Sequence, residues 1–187
     1  DAHLLSAACR AAATLGGTAA VAALGGDIVS VGGAGSGAFA DRHVGAGKAV
    51  TVTGFTLGGA DAGNYSIVQP AGLTADITQA ALTLSTGNVT KTYDAGLSAA
   101  GSAIVSGGTL FAGDTLSGGS FAFADKNVGS GNKTVSVSGV TVNDGNGGGN
   151  YAVSYADNTT STITAASLAI TGVTASNKVY DGTAAAT

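Results

Sequence analysis

The sequence predicts an all-β fold made of tandem copies of one small antiparallel module. Three observations carry that prediction. Valine alternates with hydroxyl residues at a period of two, turn pairs of Gly, Asn and Asp recur at roughly ten-residue spacing, and one set of motifs returns in order along the chain.

The strands can be read in turn. Ala49-Val50-Thr51-Val52-Thr53 and Thr134-Val135-Ser136-Val137-Ser138 set apolar residues against hydroxyls, as a strand with one buried face requires. Leu82-Thr83-Leu84, Phe121-Ala122-Phe123 and Tyr151-Ala152-Val153-Ser154-Tyr155 follow the same rule. β-Branched and aromatic side chains pack well on a pleated surface, so composition agrees with pattern. Gly-Gly, Asn-Gly and Gly-Asp pairs between these runs supply positive φ and local side-chain hydrogen bonds. Residues 4–24 are rich in Ala and offer the one helical candidate, but their repeat equivalents, 95–105, are broken by Gly and Ser. Helix is therefore expected to be minor. Strand order stays open between a sandwich and a grasp-like sheet, in an elongated array.

Repetition fixes the organisation. Phe39-Ala40-Asp41-Arg42-His43-Val44-Gly45 returns as Phe123-Ala124-Asp125-Lys126-Asn127-Val128-Gly129, and Gly63-Asn64-Tyr65 as Gly149-Asn150-Tyr151. Gly26-Asp27 returns as Gly113-Asp114, Ile77-Thr78 as Ile163-Thr164, and Tyr93-Asp94 as Tyr180-Asp181. The drift between these offsets falls in Gly-rich stretches, where insertions cost little. The expected frame is a degenerate or foreign lead-in at 1–10, a first module at 11–80 without its opening, a complete second module at 81–166, and the start of a third at 167–187.

Composition narrows the function classes. Of 187 residues only 10% are charged, the net charge is −4, and all eleven acids are Asp. The seven basic residues are scattered, so neither nucleic acid nor anionic lipid finds a cationic surface. No run of apolar residues is long enough to span a bilayer as a helix. Cys9 is the single cysteine, so no disulfide forms within the chain. It ends Leu4-Leu5-Ser6-Ala7-Ala8-Cys9, which has the small residues of a lipoprotein cleavage site but no basic or long apolar lead. This low-charge, Gly/Ser/Thr-rich composition fits a large exported bacterial protein.

Candidate sites are few, and each has a structural reading beside the functional one. Tyr93-Asp94 and Tyr180-Asp181 are either ligand contacts or, the favoured reading, an aromatic cap on a thin core with an Asp satisfying turn amides. Asp41, Asp61, Asp125 and Asp144, with Asp157, are calcium candidates if loops bring them together. Asn143-Asp144-Gly145-Asn146-Gly147-Gly148-Gly149-Asn150 resembles a glycine-rich calcium repeat but occurs once, and a plain turn is the favoured reading. Calcium is the only cofactor these residues suggest. His3 and His43 lack catalytic or metal-binding partners, and His43 is replaced by Asn127 in the next copy. The stretch Gly32-Gly33-Ala34-Gly35-Ser36-Gly37 lacks the Lys of a phosphate loop. Asn64, Asn88, Asn132 and Asn158 head glycosylation triplets, which a chain rich in Asn, Ser and Thr also produces by chance. No base, nucleophile or metal cluster repeats, so an enzyme is not expected.

The motifs Lys178-Val179-Tyr180-Asp181-Gly182-Thr183, Gly26-Asp27, Phe39-Ala40-Asp41, Val44-Gly45, Val50-Thr51-Val52-Thr53-Gly54 and Gly59-Ala60-Asp61-Ala62-Gly63-Asn64-Tyr65 resemble the YDG-type repeat domain. Ile77-Thr78-Gln79-Ala80-Ala81-Leu82-Thr83-Leu84 is similar to the join between such units, which the related MBG-type modules share. Tyr93-Asp94-Ala95 departs from the motif at its Gly, and the first copy lacks it. The resemblance implies arrays in large bacterial exoproteins, including filamentous-haemagglutinin-like adhesins, at the cell surface or outside the cell. It implies an extracellular stalk or adhesive role, with neighbouring repeats of the same chain and a host or matrix surface as partners; the hydroxyl-rich faces are expected to offer weak contact with glycans. It supplies no catalytic residues.

Overall fold

The computed structural model describes residues 12–13 and 19–185. Thirteen strands follow in chain order: β1 (Ala12–Ala13), β2 (Ser30–Gly32), β3 (Ser36–Phe39), β4 (Gly45–Thr53), β5 (Thr56–Gly58), β6 (Leu73–Ile77), β7 (Ala80–Thr86), β8 (Thr90–Thr92), β9 (Ala103–Gly108), β10 (Thr115–Phe123), β11 (Gly129–Asn143), β12 (Tyr151–Tyr155) and β13 (Asn158–Thr164). One 3-10 turn, Ala62–Asn64, is the only helical element among the described residues. The all-β prediction holds, as small antiparallel and mixed sheets.

Two compact units are present. The first comprises Asp1–Leu84, Val105–Gly118 and Val140–Ser154, and the second Ser85–Ile104, Gly119–Gly139 and Tyr155–Thr187. Their limits do not follow the repeat frame, because the first unit takes parts of the second copy. Two of the limits fall at glycines with positive φ, Gly118 and Gly119 in β10 and Gly139 in β11. Only glycine takes that conformation without strain, so these are the points where a long strand can bend. In the first copy the matching strands are interrupted outright. Gly33 and Gly54, both at positive φ, separate β2 from β3 and β4 from β5, and a Cβ on Gly33 would lie 2.3 Å from the Gly54 carbonyl.

In the first unit, β1, β3, β4 and β6 form an antiparallel sheet in that order. Val50 and Val52 of β4 are buried while Thr51 and Thr53 face water, so the alternation read from the sequence is realised. The strands β2 and β5 pair antiparallel, Val31 opposite Leu57. Leu82 and Leu84 of β7 are buried, as are Val140, Val142 and Tyr151. Among the five residues of β12 only Tyr151 is buried, so the alternation expected at Val153 and Tyr155 is absent.

The second unit is built around Val89, Ala99, Phe123, Val135 and Ile163, with Phe121 packed against them. The sheet order is β10-β11-β13-β8. Here the expectation of purely antiparallel modules needs correction. β13 runs parallel to β8, Thr162 opposite Thr90 and Thr164 opposite Thr92. Strands so far apart in sequence are joined by a long crossover rather than a hairpin, which leaves the parallel direction open to them.

Register repeats with the motifs. Gly45 pairs with Ile77 and Lys48 with Ala75 in the first copy; Gly129 pairs with Ile163 and Lys133 with Ser161 in the second. Matched residues therefore occupy matched places. The third copy differs. No strand forms within 165–185, and Leu168, the counterpart of buried Leu82, is 93% exposed. β7 is held between β12 and β9, and the counterparts of those strands have no match within 165–187.

Candidate functional site

Three polar arrangements recur, and only one of them joins the copies. The first is local. Asp94 accepts the Gly96 amide at 2.9 Å and the Lys91 ammonium at 2.7 Å, and Lys91 also donates to the carbonyls of Gly96 and Ser98. Asp181 repeats this with the Thr183 amide and Lys178, whose ammonium donates to the carbonyls of Thr183 and Ala185. The lysine first, then the turn amide, holds each carboxyl below the usual range. The aspartates thus do what the turn reading expects. The tyrosines do not: Tyr93 is exposed and Tyr180 is 93% exposed, so neither caps a core. The bonds of the turn are made by Lys, Asp and backbone, joined in the 178–185 copy by the Thr183 hydroxyl.

The residue after Asp in this turn is left-handed in both copies, Gly182 at φ 76° and Ala95 at φ 65°. Ala95 is the only non-glycine residue at positive φ among the described residues. A Cβ in that region costs about 1–2 kcal/mol, partly offset by the greater freedom that glycine gives the unfolded chain. Ala95→Gly is therefore expected to stabilise the protein by about 0.5–1 kcal/mol in urea unfolding. A destabilised variant would contradict the strain.

The second arrangement pairs a lysine across a strand turn. Lys48 bonds Asp41, and Lys133 bonds Asp125 at 2.5 Å. The same aspartates accept the amides of His43 and Asn127, both at 2.8 Å. Lysine, then amide, lowers both carboxyls.

The third is a tyrosine–aspartate clasp. Tyr65 Oη donates to Asp27 Oδ2 at 2.7 Å and accepts the Leu24 amide at 3.0 Å. Tyr151 Oη donates to Asp114 Oδ2 at 2.6 Å and accepts the Phe111 amide at 3.0 Å. In both, the Asp amide closes a tight turn onto the carbonyl of the residue whose amide the tyrosine holds. Burial, then the bond to Asp114, raises the Tyr151 hydroxyl above its ordinary pKa.

Only the second clasp is engaged further. Arg42, from the first copy, donates to Asp114 Oδ1 at 2.6 Å and to the Asp144 carbonyl at 3.1 Å. The Asp114 side chain is 4% exposed and that of Arg42 32%. Beside them the Val44 amide donates to Asn150 Oδ1 at 2.9 Å, and the His43 ring lies 3.2 Å from the Asn150 amide nitrogen. The link between copies is stapled too, for Gln79 donates to the carbonyls of Gly149 and Tyr151 and the Ala80 amide to Asn150. Asp144 shapes this loop. Burial raises its carboxyl, but the amides of Asn150, Gly148 and Asn146 outweigh that and hold it low. A cavity of about 240 Å³ remains beside the contact, lined by Val44, Ile77, Ala80, Phe111 and Tyr151 among others.

The calcium candidates are not brought together. Asp41 and Asp125 face lysines, Asp61 accepts the Ile28 amide at 2.8 Å, and Asp144 is filled by three amides. No group of three or more His, Cys, Asp or Glu side chains converges among the described residues. His3 lies outside those residues. Of the triplet asparagines, Asn158 is tied into a network with Asn88, Thr86 and Ser161, whereas Asn64 and Asn132 are exposed. Sequence reasoning missed the Arg42–Asp114 contact, although its signal was present: Gly-Asp, Asn-Tyr and Asp-basic each recur once per copy.

No curated protein and no solved structure matches the chain. A family model for the YDG domain matches residues 10–73 and 78–161, most of the chain in two successive segments. Those segments carry the paired tyrosine–aspartate clasps described above, and the chain belongs to the YDG domain family.

Proposed function

We propose that the chain is a non-catalytic repeat segment of a bacterial surface or secreted adhesin, acting as a stalk or spacer outside the cell. The observation that carries this reading is the Arg42–Asp114 contact with the Gln79 staple, which ties one copy to the next by side chains as well as by the chain. A short, bonded link limits hinge motion, which a spacer needs and a freely jointed linker lacks. The cavity at this seam is smaller than about 300 Å³, the lower end for small-molecule sites. Weak contact with glycans through the hydroxyl-rich faces is compatible with the spacer role, as is the setting of filamentous-haemagglutinin-like proteins and MBG-type relatives.

A glycan array probed with the whole chain is the test, run with a thermal melt before and after chelation. The spacer reading expects no consistent sugar class and an unchanged melting midpoint. Reproducible binding to one class, together with a midpoint that falls on chelation, would instead favour a calcium-stabilised ligand-binding module.

A further inference from the structure

We propose that the second copy bears tension along the chain, through a shear clamp formed by its opening and closing strands. The observation behind the clamp is strand direction. β8 and β13 lie far apart in sequence yet run parallel, with Thr90 opposite Thr162 and Thr92 opposite Thr164. The chain enters this copy ahead of β7 and β8 and leaves it after β13. A pull on the two links therefore drags β8 toward its own start and β13 toward its own end. Parallel strands drawn this way slide along each other, so the evenly spaced bonds between them share the load and fail together. Strands drawn apart from one end lose their bonds one at a time.

Backbone and side chains both supply rungs. The Thr162 amide donates to the Val89 carbonyl at 2.9 Å, and the Tyr93 amide to the Thr164 carbonyl at 2.8 Å. Asn158 Nδ2 donates to Asn88 Oδ1 at 2.9 Å and to the Thr86 carbonyl at 3.2 Å, and the Thr160 hydroxyl donates to Asn88 Oδ1 at 2.6 Å. The Val89 amide donates to the Ser161 hydroxyl at 3.0 Å, and Val89, Ser161 and Ile163 are all buried. A bond buried this way is electrostatically stronger than one in water, and water does not stand ready to replace it as it stretches. β8 ends its sheet, so β13 is the strand that holds it among the described residues, while β11 backs β13 on the other side.

The first unit shows the same order of partners. The Ala80 amide donates to the Asn150 carbonyl, the Thr83 and Ser154 hydroxyls bond each other, and the Ser154 hydroxyl also reaches the Leu82 carbonyl. Partners advance together along β7 and β12, so these strands too are loaded to slide rather than to peel.

The clamp rests on the spacer reading, but its test is independent of the glycan array. The whole chain, with Cys9→Ser, is held by cysteine handles in two ways. Thr78→Cys with Ser167→Cys loads β8 and β13 in opposite directions, whereas Tyr93→Cys with Ser167→Cys loads the same rungs from one end. All three handle sites are exposed. Optical-tweezers pulling at one loading rate should give a rupture force at least about twofold higher for the first pair than for the second. Asn88→Ala removes rungs far from the end pulled at Tyr93, so it should lower the first force and leave the onset of the second unchanged. Equal forces in the two directions, or a larger force for the second pair, would overturn the clamp and leave the spacer standing. An Asn88→Ala change that lowers both forces alike, or neither, would overturn it as well.

Discussion

Phe123→Ala is expected to be the most damaging single truncation in the second unit, at about 3–5 kcal/mol. The ring is 2% exposed and packs with Val89, Ala99, Val135 and Ile163, with Phe121 beside them. Lys91 lies 5.4 Å from its centroid, so the ring also faces a cation that is bonded into the Asp94 turn. Its backbone amide is fixed to the Leu97 carbonyl at 2.7 Å, which stops the strand from sliding into the space left behind. The cluster is thin, so few neighbours can collapse on the void, and small domains hold only about 5–15 kcal/mol in all. Phe39, its counterpart in the first copy, is half-buried and should cost less than half as much. Urea unfolding followed by circular dichroism measures both. Equal losses at the two positions would mean that the core of the second unit is not what stabilises it.

The second large effect is expected at the joined clasp. Asp114→Ala removes the carboxylate that both Arg42 and the Tyr151 hydroxyl donate to, leaving a half-buried cation without its counter-charge and a buried hydroxyl proton without its acceptor. Losses of about 2–4 kcal/mol follow from stranding such groups. Asp27→Ala breaks the matching bond to Tyr65 at an exposed site where no cation bonds it among the described residues, and should cost about 1 kcal/mol or less. The difference between the two aspartates combines burial with the loss of Arg42, and a double-mutant cycle of Arg42→Ala with Asp114→Ala separates out the ion pair as a non-zero coupling. A coupling of zero would show that the copies are held by the Gln79 link and apolar packing alone.

Much of the fold was legible before the structure. Val50, Val52, Val135 and Val137 are buried where alternation placed them, because a strand's side chains alternate faces whatever the partner strand is. Asp94 and Asp181 bond turn amides as their place before Gly or Ala suggested. What was misread depended on distant partners. Tyr93 and Tyr180 were expected to cap a core, yet the tyrosines that matter are Tyr65 and Tyr151, whose aspartates lie 38 and 37 residues away. The parallel pairing of β13 with β8 likewise has no local signature.

The third copy separates the two kinds of information. By itself the sequence determines the Lys178–Asp181 turn, which closes with no sheet around it because every bond is made within residues 178–185. It determines as well the period of the strands and the repeat that sets equal residues in equal places. Tertiary structure alone decides whether a strand forms and what a charge does. Leu82 and Leu84 are buried while Leu168 and Ile170 are exposed, and Asp114 holds an arginine whereas Asp27, among the described residues, bonds only Tyr65. A strand's backbone bonds and a buried ion pair both need a second segment brought from far along the chain, whereas a turn needs only its own neighbours.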